Sequence, residues 1–172
     1  MNEGVAFKVF GPVKVHHTKG PGGRAITGES IERFWREHRK FEGRFGCYVF
    51  AMSAGRGLTP WYVGKTTKTF KKEVFTPHKL NYYTLAMMNY ARGKPAFFFV
   101  AAPKAKGKRN NSMIREVEKY LINLGITANP DLLNKQDASL PDWGINGVVR
   151  GGKGKVAAGV KSFRKMLGIR RG

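Results

Sequence analysis

The sequence predicts an α/β chain of the α+β kind, a small central sheet, mixed or antiparallel, flanked by helices. Three observations predict it. Two aromatic, β-prone runs, 45–52 and 61–65, lie either side of a glycine-containing connection, the pattern of a hairpin. A third apolar run, 95–102, has strand length without alternation, as a strand covered on both faces does. Around these runs, apolar residues recur at helical spacing in several longer segments.

From the N-terminus, 5–9 and 13–17 are short β-prone runs flanking Gly11-Pro12, which predicts a hairpin. Residues 18–28, with Pro21-Gly22-Gly23, read as a loop. Ile31, Phe34, Trp35, His38 and Phe41 share one helical face, which predicts an amphipathic helix over 29–41 with His38 packed on it. The connection over 53–60, with Ala54-Gly55-Arg56-Gly57, is expected to be longer than a tight turn. A basic, helix-like stretch covers 68–75. Thr76-Pro77 opens and Gly93 stops a helix striped by Leu80, Tyr83, Met87, Tyr90 and Ala91. After a lysine-rich loop, Asn111-Ser112 offers an N-cap to a helix over 113–124, which Gly125 is expected to end. Beyond Gln136, Leu140-Pro141-Asp142-Trp143 reads as a docking turn, 147–150 as a strand and 151–155 as a basic loop. Val156, Val160, Phe163 and Leu167 predict a short last helix. Three regions follow: an N-terminal hairpin and helix extension over 1–44, a core over 45–136, and a basic C-terminal extension over 137–172 packed on or near the core.

At 172 residues and 41% hydrophobic content, the chain can bury one sizeable core. No apolar run approaches the roughly 20 residues that span a bilayer, and no signal-peptide pattern opens the sequence. Cys47 is the single cysteine, which leaves no internal disulfide, suits a reducing cytoplasm and is expected in the core. The four histidines and one cysteine have no zinc-ligand spacing.

The charge is the strongest compositional signal. Thirty-two Lys and Arg against eleven Asp and Glu give +21, a field that gathers polyanions, so nucleic acid is the expected partner. An anionic membrane surface is the weaker expectation, because no basic amphipathic helix carries a bulky apolar face. Residues 45–103 hold eight basic residues against one acid, and residues 150–172 hold eight against none. The tail is therefore expected to grip phosphates without reading sequence.

Two short segments, Gly46-Cys47-Tyr48 and Tyr62-Val63-Gly64, lie on the two hairpin strands. Lys65-Thr66-Thr67 and the basic stretch follow, then Glu118 on a later helix and Asn134 in Asn129-Pro130-Asp131-Leu132-Leu133-Asn134-Lys135. In this order they resemble the GIY-YIG nuclease family, with GCY and YVG in place of the two tripeptides in its name. The resemblance covers about 45–136, just over half the chain. It implies a metal-dependent endonuclease acting on DNA. Glu118 would hold Mg²⁺ (or Mn²⁺), and Tyr48 would be the general base or orient the water. Tyr62 would hydrogen-bond the phosphate or the water, and Asn134 would brace the site. His78 falls where the family keeps a polar residue near the site.

The family's arginine, on the helix after the second tripeptide, is missing. Counting from Gly64 puts Lys72 in its place; anchoring on Phe70 puts Glu73 there. Lysine supplies charge but no bidentate fork, and glutamate supplies neither. A tyrosine of ordinary pKa near 10 is a poor base, so Lys65, Lys68, Lys71 and Lys72 are expected to lower that of Tyr48. Lys65, Lys68, Lys71, Lys153, Lys155, Lys161, Arg164 and Lys165 are the expected nucleic-acid contacts.

Helix geometry separately selects Glu118. At about 100° per residue from Ile114, Val117, Leu121 and Leu124 fall near 300°, 340° and 280°. Glu118 falls near 40°, at the edge of that apolar face, and Glu116 near 200°, on the opposite side. A carboxylate turned toward a core needs a partner cation, and Glu116 does not. Two other readings stand beside the nuclease: the same fold used as a nucleic-acid clamp that no longer cuts, and a ribosomal or RNA-chaperone-like basic protein. The last accounts for the charge but not for Tyr48, Tyr62, Glu118 and Asn134.

Overall fold

Four β-prone segments meet edge to edge: Gly46–Ala54, Gly57–Thr66 and Lys94–Ala101 bury apolar side chains on two faces that helices then cover, and Lys8–Lys14, mostly exposed, pairs along the edge of Lys94–Ala101. The computed structural model describes residues 5–55, 57–90, 92–103, 110–135, 138, 145 and 157–167. The chain separates into two units, Met1–Ala138 and Ser139–Gly172. In the first, strands β1 (Lys8–Lys14), β4 (Gly46–Ala54), β5 (Gly57–Thr66) and β6 (Lys94–Ala101) form one antiparallel sheet in the order β1-β6-β4-β5. A second, two-stranded sheet pairs β2 (Thr18–Gly20) with β3 (Gly23–Ala25). Helices α1 (Gly28–Glu37), α2 (Phe70–Glu73), α3 (Pro77–Asn89) and α4 (Asn111–Ala128) complete it. The fold is mixed α+β, as expected.

One face of the sheet presents Tyr48, Phe50, Met52, Phe97 and Phe99 to Phe34 of α1, Phe70 of α2 and Tyr83 and Met87 of α3. The other presents Cys47, Val63 and Val100 to Ile114 and Ile122 of α4. The first face is the larger core and is mostly aromatic. Phe50 stacks on Tyr83 at 4.3 Å, and Phe34 meets Trp35 and Phe75 edge-on at 5.0 and 5.2 Å. Such pairs each add ~0.5–1.5 kcal/mol beyond the area they bury. Cys47 is a core residue: burial pushes its thiol up to about 12.

Several local expectations change. Residues 5–17 do not form a hairpin. Gly11-Pro12, joined by a cis peptide bond, lies within β1 as a one-residue irregularity, and β1 pairs with β6 from Lys8↔Ala101 to Lys14↔Ala96. The partner is distant in sequence, so no local turn signal could reveal it. The supposed loop over 18–28 contains the β2–β3 hairpin, anchored by Arg24. Its guanidinium donates to Met87 O (2.6 Å) and Tyr90 O (2.7 Å) at the C-terminal end of α3 and to Gly93 O just beyond it, where a cation suits the negative end of the helix. The β4–β5 connection is tight, since Ala54 pairs with Gly57. Residues 29–41 break at His38 into α1 and the 3₁₀ turn Arg39–Phe41.

At α4 the N-cap is Asn110, whose side chain accepts from Met113 N. The helix runs through Gly125 to Ala128. Gly125 serves close packing: a Cβ there would lie 3.2 Å from Leu132 Cδ2 and 3.6 Å from Val63 Cγ2. In the second unit, α5 (Ala158–Met166) is described by itself, with Phe163 and Leu167 exposed. The expected docking turn at 140–143 and strand at 147–150 lie outside the described residues.

Burial holds the imidazoles of His38 and His17 below their ordinary value. His38 packs against Phe34 at 4.9 Å. As pH falls from 7 to 5, the unfolded chain therefore takes up these protons before the folded one does, and stability falls. Thermal unfolding at pH 7 and pH 5 is expected to show that loss, and His38→Gln is expected to reduce it.

Candidate active site

The hairpin register sets the two tripeptides side by side. Tyr48 pairs with Gly64 and Phe50 with Tyr62. Tyr48 lies over Gly64 so closely that a Cβ at 64 would come within 2.5 Å of the Tyr48 hydroxyl. Absence of a side chain at Gly64 is what allows the ring to lie down. Tyr48 is 0% exposed, and its hydroxyl has no hydrogen-bond partner among the described residues. The neighbouring Tyr83 hydroxyl gives its proton to Val74 O at 2.7 Å.

This environment reverses the expected titration of Tyr48. Burial first, then Tyr83 and Tyr62, push its pKa well above the ordinary value. The lysines expected to lower it are engaged elsewhere or lie outside this pocket. Lys65 pairs with Glu118, Lys71 pairs with Glu42 at 3.1 Å, and Lys68 and Lys72 are exposed. The cation beside Tyr48 is one the sequence reading passed over. Lys79, buried on α3, sets its ammonium 5.6 Å from the Tyr48 ring centre and is held by the Glu73 carboxylate and, at 3.3 Å, by Glu73 O. Glu73 thus acts as the counter-ion of Lys79. Lys79 lies four residues before Tyr83 on the same buried stripe, and that spacing was a signal available in the sequence.

Tyr48→Phe removes a hydroxyl that makes no hydrogen bond and leaves the ring contacts with Phe70 and Phe97 in place. Urea unfolding is expected to show equal or slightly greater stability, by up to ~1 kcal/mol. A clear loss would mean that the hydroxyl is satisfied in solution.

On the same face, Tyr62 stacks on Tyr82 at 4.9 Å, and His78 meets Tyr82 edge-on at 5.0 Å. Tyr62 is buried; His78 is exposed at the first turn of α3. These rings form a file from β5 toward the surface.

The opposite face of β5 carries the remaining candidates. The Asn134 side chain accepts from Val63 N at 3.1 Å and donates to Val63 O at 2.6 Å. Both bonds are buried, so this amide fixes the middle of Tyr62-Val63-Gly64. Two residues on, the Lys65 ammonium is ion-paired with Glu118, whose side chain is 15% exposed. Glu116 is exposed, so the two glutamates differ in burial in the sense that helix geometry predicts. Ile122 and Gly125 are buried while Leu124 is exposed, which turns the buried face so that Glu118 sits at its middle instead of its edge.

Tyr48, Tyr62 and His78 thus pack on the α3 side and Glu118, Lys65 and Asn134 on the α4 side, with β5 between them. Among the described residues, no three His, Cys, Asp or Glu side chains gather as a metal-binding group. Lys72 projects from α2 into solvent, and Lys165 is exposed on α5. Lys153, Lys155 and the side chains of Lys161 and Arg164 lie outside the described residues. No described helix is long and apolar enough to cross a membrane. No family model, curated protein or solved structure matches the chain.

Proposed function

We propose that the chain is an endonuclease of GIY-YIG type that hydrolyses phosphodiester bonds in DNA with a divalent cation at Glu118. One observation carries the reading: three candidate residues converge on three consecutive positions of β5. Tyr48 covers Gly64, Asn134 clamps Val63, and Glu118 holds Lys65. Unrelated packing gives little reason for a buried amide, a half-buried carboxylate and a tyrosine ring to select one tripeptide.

The donor set suits a hard cation anchored at one point. Glu118 lies on a mostly buried face and is already balanced by a positive group, the Lys65 ammonium. Mg²⁺ or Mn²⁺ bound through one carboxylate, with water in its other positions, meets the same need. Such a cation would polarise the phosphate and stabilise the departing oxygen. Lys65, released from Glu118, would then be able to meet a phosphate oxygen, and Lys72 would add charge from the exposed side of α2. Tyr48 acts by packing beneath Gly64 in this reading. Orienting or deprotonating water falls to Tyr62 and His78, the latter being exposed. The field of the +21 chain draws the polyanion in.

A second reading, a clamp that binds nucleic acid without cutting, is favoured by the burial and raised pKa of Tyr48. Nicking of supercoiled plasmid with and without Mg²⁺, paired with a binding measurement, separates the two. Nicking that depends on Mg²⁺ is the expected result; tight binding with no nicking under any divalent cation gives the clamp.

A further inference from the structure

At the hairpin-turn end of the sheet, away from the candidate site, lies a cavity of about 430 Å³. It is within the ordinary size range of small-molecule sites. Its apolar wall includes Pro12, Val15, Leu58 and Pro95, and its polar lining includes Lys14, His16, His17, Lys94 and Ser53. Among the described residues no carboxylate lines it; Glu37 engages His16 of its lining at 2.8 Å.

The strand register brings like charges together here. Lys14 pairs with Ala96 on β6, and Lys94 stands two residues from Ala96 and pairs with Ser53 on β4. Lys14 and Lys94 are therefore diagonal neighbours on one face of the sheet, roughly 7–8 Å apart at the backbone. Both are exposed, and neither has an acidic partner among the described residues. Like charges so placed repel weakly through water, and an anion between them is attracted by both. The hydroxyl of Ser53 and the imidazole of His17 offer hydrogen bonds beside an apolar wall, which suits a polar-edged ring better than an alkyl chain.

We propose that this cavity binds a nucleotide unit, with its phosphate between Lys14 and Lys94 and its base against Val15, Leu58 and Pro95. The site is separate from Glu118 and does not depend on cleavage.

Amide chemical shifts of the full chain, titrated with dAMP, deoxyadenosine, inorganic phosphate and laurate, test it. Saturable shifts are expected at Leu58 and Ala96 with dAMP. Deoxyadenosine and inorganic phosphate should each bind at least about tenfold more weakly, as loss of either half of the ligand requires. Lys14→Ser with Lys94→Ser, both exposed positions, should weaken dAMP by at least about tenfold while leaving shifts remote from the cavity unchanged. Absence of saturable shifts, shifts centred on Tyr62 to Lys65, phosphate binding as tightly as dAMP, or laurate binding more tightly would each overturn the proposal. The wild-type titration decides the matter even if the double variant unfolds.

Discussion

Glu118→Ala is expected to lower Mg²⁺-dependent nicking on the order of 10³-fold, about 4 kcal/mol of transition-state stabilisation, with DNA affinity near wild type. The separation of rate from binding is the informative part. Glu118 is one acid in a strongly basic chain, so its loss cannot weaken attraction for a polyanion. Glu116→Ala, on the exposed side of the same helix, should leave nicking unchanged. Equal damage from the two variants would remove the assignment of Glu118. Lys65→Ala provides a readout without turnover. It leaves the Glu118 carboxylate without its ammonium, so Mg²⁺ should raise the melting temperature of this variant more than that of the wild type. At ten times Kd the gain is about 1.4 kcal/mol. No differential shift would mean that Glu118 does not bind the cation.

Gly64→Ala is expected to be strongly destabilising, costing ~3 kcal/mol. The added methyl would meet Cζ, Oη and Cε2 of Tyr48, the far end of a ring that is completely buried and enclosed by Phe70, Phe97 and Tyr62. The ring is packed on these sides, and the β4–β5 ladder holds both backbones. In a unit of this size the melting temperature should fall by about 10 °C. Gly57→Ala, where a Cβ meets nothing within 4 Å, is the matched control. If both variants melt together with the wild type, the Tyr48 ring has another position in solution.

Much of the fold was legible because its signals were local. The two tyrosine strands, the uninterrupted β6 and the Thr76-Pro77 start of α3 each announce themselves within a few residues. Helical spacing identified Glu118 over Glu116, because a charge on an apolar face is visible in one turn of sequence. What stayed hidden depends on partners far along the chain. Local signals make β1 half a hairpin because its real partner, β6, lies some eighty residues on. At Gly125 a sound local rule predicts a helix stop, and the approach of Leu132 overrides it. For Tyr48, nearby lysines in sequence suggested an accessible, acidified phenol; three dimensions pair Lys65 and Lys71 with carboxylates and bury the ring. Lys79 escapes a reading in which the α3 stripe is apolar throughout.

Asn134 has a consequence beyond the candidate site. β5 is an outer strand, and its unpaired backbone groups would accept a strand from another molecule. The segment after α4 occupies that edge: Asn129 Nδ2 donates to Pro60 O, Leu133 N to Trp61 O, and Asn134 takes both groups of Val63. A run of side-chain amides and one backbone N–H thus imitates a neighbouring strand without being one. A basic protein crowded along a polyanion is brought close to many copies of itself, where an open edge would invite strand addition and precipitation. Here the residue that steadies the Tyr62-Val63-Gly64 tripeptide also keeps the sheet from growing.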